Sequence, residues 1–362
     1  MDQDADSRCS YRGIYKFSRD ANTGMTLLDR ALSAEHHDVL DRADAFTTET
    51  LAPRTEAIER TREFPRDVIE AAGDAGLLGI LVPEAYGGLG GDFVSYCVAL
   101  ERIAEENSAV AETIQGHTFA ALPVLNFGTQ EQQNRLLPKL AAGESVGAML
   151  LTEPDAGSSP TELGTVAEVT DDGYLLSGEK SFGTNAGVAD VHLVVARKRP
   201  QPDDSHGVSV FLVPNPDDVE GFSFERGEYL GMHGHVTGDS TFEAVEVDAD
   251  ALLGAVGQGF RIAMGTIDMA RTGLGAIGCG IGRAAFKKAV DYAGDREQGG
   301  NPVGEYQAVQ VLVAEMDSRL ESARSLVYDS AVRIADGGSD TRASSRAKFT
   351  ASDAAEFCAR NA

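Results

Sequence analysis

From Leu27 to about Glu144, apolar residues recur at the three- and four-residue spacing that places them along one side of a helix. Val68, Ile69 and Ala72 form such a face in a segment that Pro65 would open at its first helical position and Gly73 and Gly76 would close. The apolar run from Leu77 to Pro83 leads into a glycine-rich turn, Tyr86 to Gly91, and Phe93, Val98, Leu100 and Ile103 mark the next helix. Thr129, with Gln132 three residues on, has the form of a capping box at the start of another.

Between Ser145 and Asp250 the period shortens to two. Val166–Val169 and Tyr174–Leu176 flank Asp172 and Gly173, a strong hairpin signal, and the runs Val191–Ala196 and Val208–Val213 extend a mostly antiparallel sheet. After Gly257-Gln258-Gly259 helical spacing returns through Ile262, Ile267, Leu274, Ile281 and Phe286, then through Val309, Leu312, Met316 and Leu320. A third helix starts near Thr341 and runs to Ala362. The pattern predicts an α+β chain with an N-terminal α-helical domain at 25–144, a β domain at 145–250 and a C-terminal long-helix bundle at 251–362. Residues 1–24 are polar and aperiodic and read as a disordered leader, with Met25 as a plausible start.

Composition narrows the function classes. With 31 basic against 57 acidic residues the net charge is -26, which disfavours nucleic acid and anionic membranes as partners. Scarce lysine and dispersed acids suit either a protein kept soluble in concentrated salt, a possible halophile, or an ordinary acidic enzyme. Cys9, Cys97, Cys279 and Cys358 lie far apart and form no CxxC pair, so neither a disulfide framework nor a zinc site is indicated, and a cytoplasmic location fits. No run approaches the ~18 apolar residues of a membrane span.

Two nucleotide-like motifs fail on context. Gly273, Gly275 and Gly278 match GxGxxG, but within helical rather than strand-to-helix sequence, where small residues instead let helices approach closely. Gly178-Glu179-Lys180-Ser181 imitates the end of a phosphate-binding loop within a hairpin, the wrong setting. His233 and His235 could share a face, yet no third ligand is suggested nearby, so a loop at the sheet edge is expected and no metal. His117 reads as packed rather than catalytic.

Four segments occur in an order and spacing that together resemble the acyl-CoA dehydrogenase family: FPRDVIEAAGDAGLLGILVPEAYGGLGGD at 64–92, GTQEQQNRLLPKLAAGESVGAMLLTEPDAGS at 128–158, SGEKSFGTNAGVA at 177–189 and REQGGNPVGEYQ at 296–307. The resemblance covers roughly residues 26–362. It implies FAD as cofactor, an acyl-CoA substrate converted to the 2-enoyl-CoA, electron transfer flavoprotein as acceptor and a homo-oligomer, a dimer or tetramer. By the same resemblance Met149, Leu151 and Thr152, with Phe182 and Thr184, border the flavin. Gly157 and Ser158 admit backbone to the pyrophosphate, Ser158 also facing substrate.

Phe182 stands where the family often has tryptophan. Arg296, Gln298 and Gln307 match positions that reach the FAD of a neighbouring subunit, with Gly299 in place of a usual phenylalanine. Asp268 and Arg271 resemble acyl-CoA contacts and, spaced three apart, share a helix face. The family's catalytic glutamate usually lies in a C-terminal stretch that the resemblance places beyond Ala362, implying a C-terminally truncated member. In some members it precedes the helix arginine, where this chain has Ala270. A truncated, non-catalytic flavin- and acyl-CoA-binding subunit is the alternative, with Phe349 and Phe357 expected to be exposed on the third bundle helix.

Overall fold

Side-chain caps set the helix starts of the N-terminal half. In the computed structural model, which describes residues 32–159, 162–199, 207–214, 216–338 and 340–362, Ser33 and His36 cap α1 (Ala34–Ala45) reciprocally, and a π-helical turn continues it through Phe46–Leu51. The expected leader at 1–24, the start at Met25 and the onset of periodicity at Leu27 lie outside the described residues. Helices α2 (Thr55–Thr61) and α3 (Arg66–Asp74) follow. Pro65 is the residue before the first turn of α3 rather than its first helical position, and Gly73 lies inside the helix. Asp92 accepts from the Ser95 N–H at 2.8 Å to start α4 (Phe93–Glu106), and Asn107 accepts from the Val110 N–H at 3.1 Å to start α5 (Ser108–Phe127). Helix α6 (Gln130–Ala142) opens with the expected Thr129–Gln132 capping box.

A sheet follows, built from β1 (Gly147–Leu150), β2 (Val166–Val169), β3 (Gly173–Thr184), β4 (Val191–Arg199), β5 (Val208–Pro214), β6 (Phe222–Arg226), β7 (Thr237–Asp248) and β8 (Leu252–Leu253). The strand order is β6-β7-β3-β2-β4-β5-β8, with β1 also on β4. All pairings are antiparallel except β1–β4 and β2–β4. The hairpin read from Asp172-Gly173 is present, with Val169 opposite Tyr174. Val191–Ala196 of β4 is buried on both faces, which accounts for its unbroken apolar run.

The sheet is tied to α5 by polar contacts. Asn185 Nδ2 donates to the Thr113 carbonyl at 2.9 Å and the Gly147 carbonyl at 3.3 Å, and His117 Nδ1 accepts from the Gly147 N–H at 3.3 Å. Burial lowers the His117 pKa to about 4, so its ring is neutral and free to accept, a packed role as expected.

The C-terminal part is a three-helix layer of α7 (Gly259–Asp295), α8 (Gln307–Ala335) and α9 (Thr341–Asn361), with the small hairpin β9 (Glu297–Gln298) and β10 (Asn301–Pro302) between the first two. The GxGxxG segment is helical throughout, inside α7. Its glycines meet neighbours too close for a side chain: a Cβ at Gly275 would lie 2.8 Å from Val327 Cγ2, and one at Gly278 would lie 3.2 Å from the Ala351 carbonyl oxygen on α9. Facing this row, α9 buries Ala343, Ala347, Ala351, Ala354 and Ala355, so two helices without bulky side chains come together over a long seam. Phe349 is exposed, as expected, but Phe357 is not: it is partly buried, with the Arg319 guanidinium 4.1 Å above its ring.

Glu101 on α4 joins the two helical layers. Its carboxylate accepts from Arg324 Nε at 2.6 Å and Tyr328 Oη at 2.7 Å, both on α8, and from Arg283 Nη1 on α7 at 3.4 Å. Glu101 and Arg324 are almost wholly buried, so each depends on the other for compensation. Glu101→Ala is expected to cost about 3–5 kcal/mol, the range for breaking a buried pair. Urea unfolding followed by helical circular dichroism measures it, and a change under about 0.5 kcal/mol, the size of an ordinary surface substitution, would contradict the assignment.

Candidate active site

Where β1 and the end of β3 approach α5 and α7, a cavity of about 170 Å³ opens. Met149, Leu151 and Thr152 form one wall and Ser181, Phe182 and Gly183 the next; Phe119 of α5 and Thr266, Ile267 and Ala270 of α7 complete the lining. Three segments singled out in the sequence, around residues 149–152, 182–184 and 268–271, thus converge. Gly183 lies within the expected Phe182–Thr184 segment, whereas Phe119, Ser181, Thr266 and Ile267 were not expected at the site.

The β3 wall owes its shape to a bulge. Lys180 pairs with Ser240 and Gly183 with Gly238, so β3 takes one residue more than β7 over this stretch. Phe182 occupies the irregularity at φ 57°, its N–H donating to Asp239 Oδ1 at 3.3 Å, and its ring is 68 % exposed at the cavity. A large aromatic held outward by a left-handed backbone is costly unless something covers it. Thr184 lies just past the lining, its methyl filling the space that a Cβ on Gly116 would need, 2.1 Å away.

Behind the lining lies a buried ion pair. Lys180, with no exposed side-chain surface, donates from Nζ to Glu153 Oε1 at 2.6 Å and to the Leu151 carbonyl at 3.1 Å. Glu153 also accepts from the N–H groups of Gly164 and Thr165, and the Ser181 N–H donates to the Thr152 carbonyl at 2.8 Å. Burial lowers the Lys180 pKa to about 8 against the opposing pull of Glu153. Burial by itself would raise the Glu153 carboxyl, but the Lys180 charge and the hydrogen bonds outweigh it and hold the carboxyl below its ordinary range.

On α7, Arg271 Nη1 donates to Asp268 Oδ1 at 2.6 Å, and Thr341 Oγ1 donates to Asp268 Oδ2 at 2.7 Å. Both acid and arginine are partly exposed beside Ala270. Gly157 and Ser158 sit on the turn beyond Ala156, outside the lining. Arg296 is at the far end of α7, 26 residues from Ala270, on the order of 40 Å along the helix. Gln298 in β9 and Gln307 at the start of α8 follow it, all three exposed, so this group does not reach the cavity within one chain. Gly299 there has φ +61°, and a Cβ on it would lie 2.9 Å from Tyr306 Oη, which donates to the Gln298 carbonyl at 2.7 Å. Tyr306 and a side-chain-free residue 299 fit each other. His233 and His235 part company: His233 pairs with Glu59 at 3.1 Å, while buried His235 lies 3.4 Å from Thr113 Oγ1.

Lys180→Met should lower stability by about 3 kcal/mol or more, since it strands a buried carboxylate, and Lys180→Met with Glu153→Leu should recover most of the loss. The Glu153 contribution is present above its unfolded value near 4.5 and is lost as pH falls through its lower folded value. The gap between parent and single variant should therefore close in acid; thermal unfolding across pH 3–8 checks this, and a gap that widens in acid would contradict it.

The chain matches the family descriptions acyl-CoA dehydrogenase N-terminal domain over residues 33–144, middle domain over 148–245 and C-terminal domain over 257–362. It is 40 % identical over 319 residues to an acyl-CoA dehydrogenase of Bacillus subtilis, covering 88 % of this chain and 83 % of that one. Among solved structures, butyryl-CoA dehydrogenase from Megasphaera elsdenii is similar at a TM-score of 0.85 and 35 % identity, over 89 % of this chain and 85 % of the other. A glutaryl-CoA dehydrogenase from Mycobacterium smegmatis in complex with FADH2 is similar at a TM-score of 0.85 and 27 % identity, over 92 % and 84 %. With its helical, β and helical-bundle parts in this order and three matched regions spanning most of its length, the chain belongs to the acyl-CoA dehydrogenase family.

Proposed function

We propose that the cavity is where the isoalloxazine ring of FAD meets the thioester end of an acyl-CoA, and that the reaction is α,β-dehydrogenation to the 2-enoyl-CoA with electrons passed to electron transfer flavoprotein. The observation that carries this reading is the convergence of the Met149–Thr152 and Ser181–Gly183 segments with the Ala270 face of α7 around one space. The lining fits a flat aromatic group with a polar edge. Met149, Leu151 and the outward ring of Phe182 offer apolar surface, and the Thr152 and Ser181 hydroxyls offer hydrogen bonds beside it.

When bound, FAD supplies the hydride acceptor. The chain's own residues orient and dry the site. Phe182 covers ring surface, Thr152 donates from its hydroxyl at the ring edge, and Thr184 braces the wall against α5. Gly157 and Ser158 leave room for the pyrophosphate, with Ser158 also toward substrate. Ile267 and Phe119 shield the reacting carbons from water, and Arg271, held by Asp268 and adjacent in sequence to Ala270, receives the CoA portion. Arg296, Gln298 and Gln307 contact FAD held by a neighbouring copy, which makes a homo-oligomer the working form.

A second reading, a non-catalytic flavin- and acyl-CoA-binding subunit, is favoured by one observation: the described cavity lining contains no carboxylate, and at position 270 it presents a methyl group. Ala270→Glu places a carboxylate there, with burial raising its pKa toward the range suited to proton abstraction. In FAD-loaded protein mixed with a saturated acyl-CoA without oxygen, Ala270→Glu is expected to bleach the flavin about 10²-fold or more faster than Ala270→Gln, the usual scale of general base catalysis. Fast bleaching by the unaltered chain would overturn the non-catalytic reading. Absence of bleaching in every variant, with FAD and acyl-CoA both bound, would overturn the assignment of the cavity.

A further inference from the structure

Helices α7 and α9 meet along their seam of small residues in one constant register. A Cβ on Gly278 would lie 3.2 Å from the Ala351 carbonyl oxygen, and one on Gly282 would lie 3.5 Å from the Ala355 Cα. Each contact joins a residue of α7 to the residue 73 positions later on α9, and the same offset brings Thr341, the first residue of α9, to Asp268. Close-packed glycine and alanine leave the helices little room to slide, so this end of the seam is held as firmly as its middle. Here the contact turns from apolar to polar: Thr341 Oγ1 donates to Asp268 Oδ2 at 2.7 Å.

The Thr341 hydroxyl is not needed to start the helix. Asp340 does that, its Oδ1 accepting from the Arg342 N–H at 3.0 Å and the Ala343 N–H at 3.1 Å, while its Oδ2 pairs with Arg333 of α8 at 3.5 Å. The hydroxyl is committed to Asp268 instead. Asp268 is thereby held on both oxygens, since its Oδ1 accepts from Arg271 Nη1 at 2.6 Å. Arg271, 36 % exposed at its side chain, makes a single-point contact with an acid that would otherwise be free to grip it through both oxygens. That geometry leaves the other donors of its planar fork for an anion.

We propose that Thr341 is a positioning residue for acyl-CoA binding: by occupying Asp268 Oδ2 it keeps the Asp268–Arg271 pair single-point, so that the arginine fork stays available to the phosphates of CoA. This rests on the reading that Arg271 receives the CoA portion. Without the hydroxyl, the carboxylate turns both oxygens to Arg271, three residues on along the same helix face, and the bidentate pair competes with the phosphates for the same donors. The acyl and pantetheine portions carry no charge for the fork to hold, so the effect is confined to the phosphorylated end of the ligand.

The test is calorimetric binding of hexanoyl-CoA and of S-hexanoylpantetheine, which lacks the phosphates, to the FAD-loaded protein and its Thr341→Val, Thr341→Ser and Arg271→Gln variants. Thr341→Val is expected to weaken hexanoyl-CoA about fivefold, the scale of one partly exposed charged contact, and to leave hexanoylpantetheine unchanged. Thr341→Ser, which keeps the hydroxyl, should bind both as the unaltered protein does. A general disturbance of the fold would lower both affinities together, so equal losses in Thr341→Val would overturn the positioning role. So would an unchanged affinity for hexanoyl-CoA in Thr341→Val where Arg271→Gln weakens it. Unchanged hexanoyl-CoA binding in Arg271→Gln would overturn the underlying reading of Arg271, and the inference with it.

Discussion

The buried Lys180–Glu153 pair decides how the candidate site is assembled. A lysine without exposed surface pays a heavy desolvation penalty and is tolerated only with its charge matched and its donors used. Satisfying it draws the Leu151 carbonyl and the Glu153 carboxylate onto β3, and Glu153 in turn gathers the backbone of Gly164 and Thr165. The turn after β1 and the bulged end of β3 therefore cannot drift apart without breaking several buried polar contacts at once. Thr152 and Ser181, joined through the backbone, face the cavity as a consequence of that junction.

The opposite wall is set by helix packing rather than charge. Glycines on α7 and alanines on α9 allow a close seam, and the Glu101 cluster locks α7 and α8 to α4. With α7 fixed in rotation by these contacts, Ala270 and Ile267 must face the sheet. Asn185 and His117 hold the sheet to α5, so the two walls share a common support.

Much of this was legible because the signals are local. The Thr129 capping box, the Asp172-Gly173 hairpin and the rejection of GxGxxG as a nucleotide motif each depend on a few adjacent residues and their period. What escaped depends on distant partners. The covering of Phe357 comes from Arg319 on another helix, and an aromatic position alone does not reveal a cation above it. Phe119, Thr266 and Ile267 enter the lining only through the rotation of their helices, which packing fixes. The role of Lys180 was hidden inside a misleading phosphate-loop pattern, and the bulge that turns out Phe182 requires a register that β3 and β7 define together. Pro65 differs by a single position, the usual scale of disagreement at a helix end.

The central claim is that FAD stacks at Phe182, between the sheet and α7. The chain contains no tryptophan, so Phe182→Trp creates a sole indole reporter at a position already open to the cavity. Titrating FAD into that variant should quench its emission stoichiometrically and far more strongly than in a Phe349→Trp control on the exposed side of α9. Stoichiometric FAD binding that leaves the residue-182 indole no more quenched than the residue-349 indole would contradict the account.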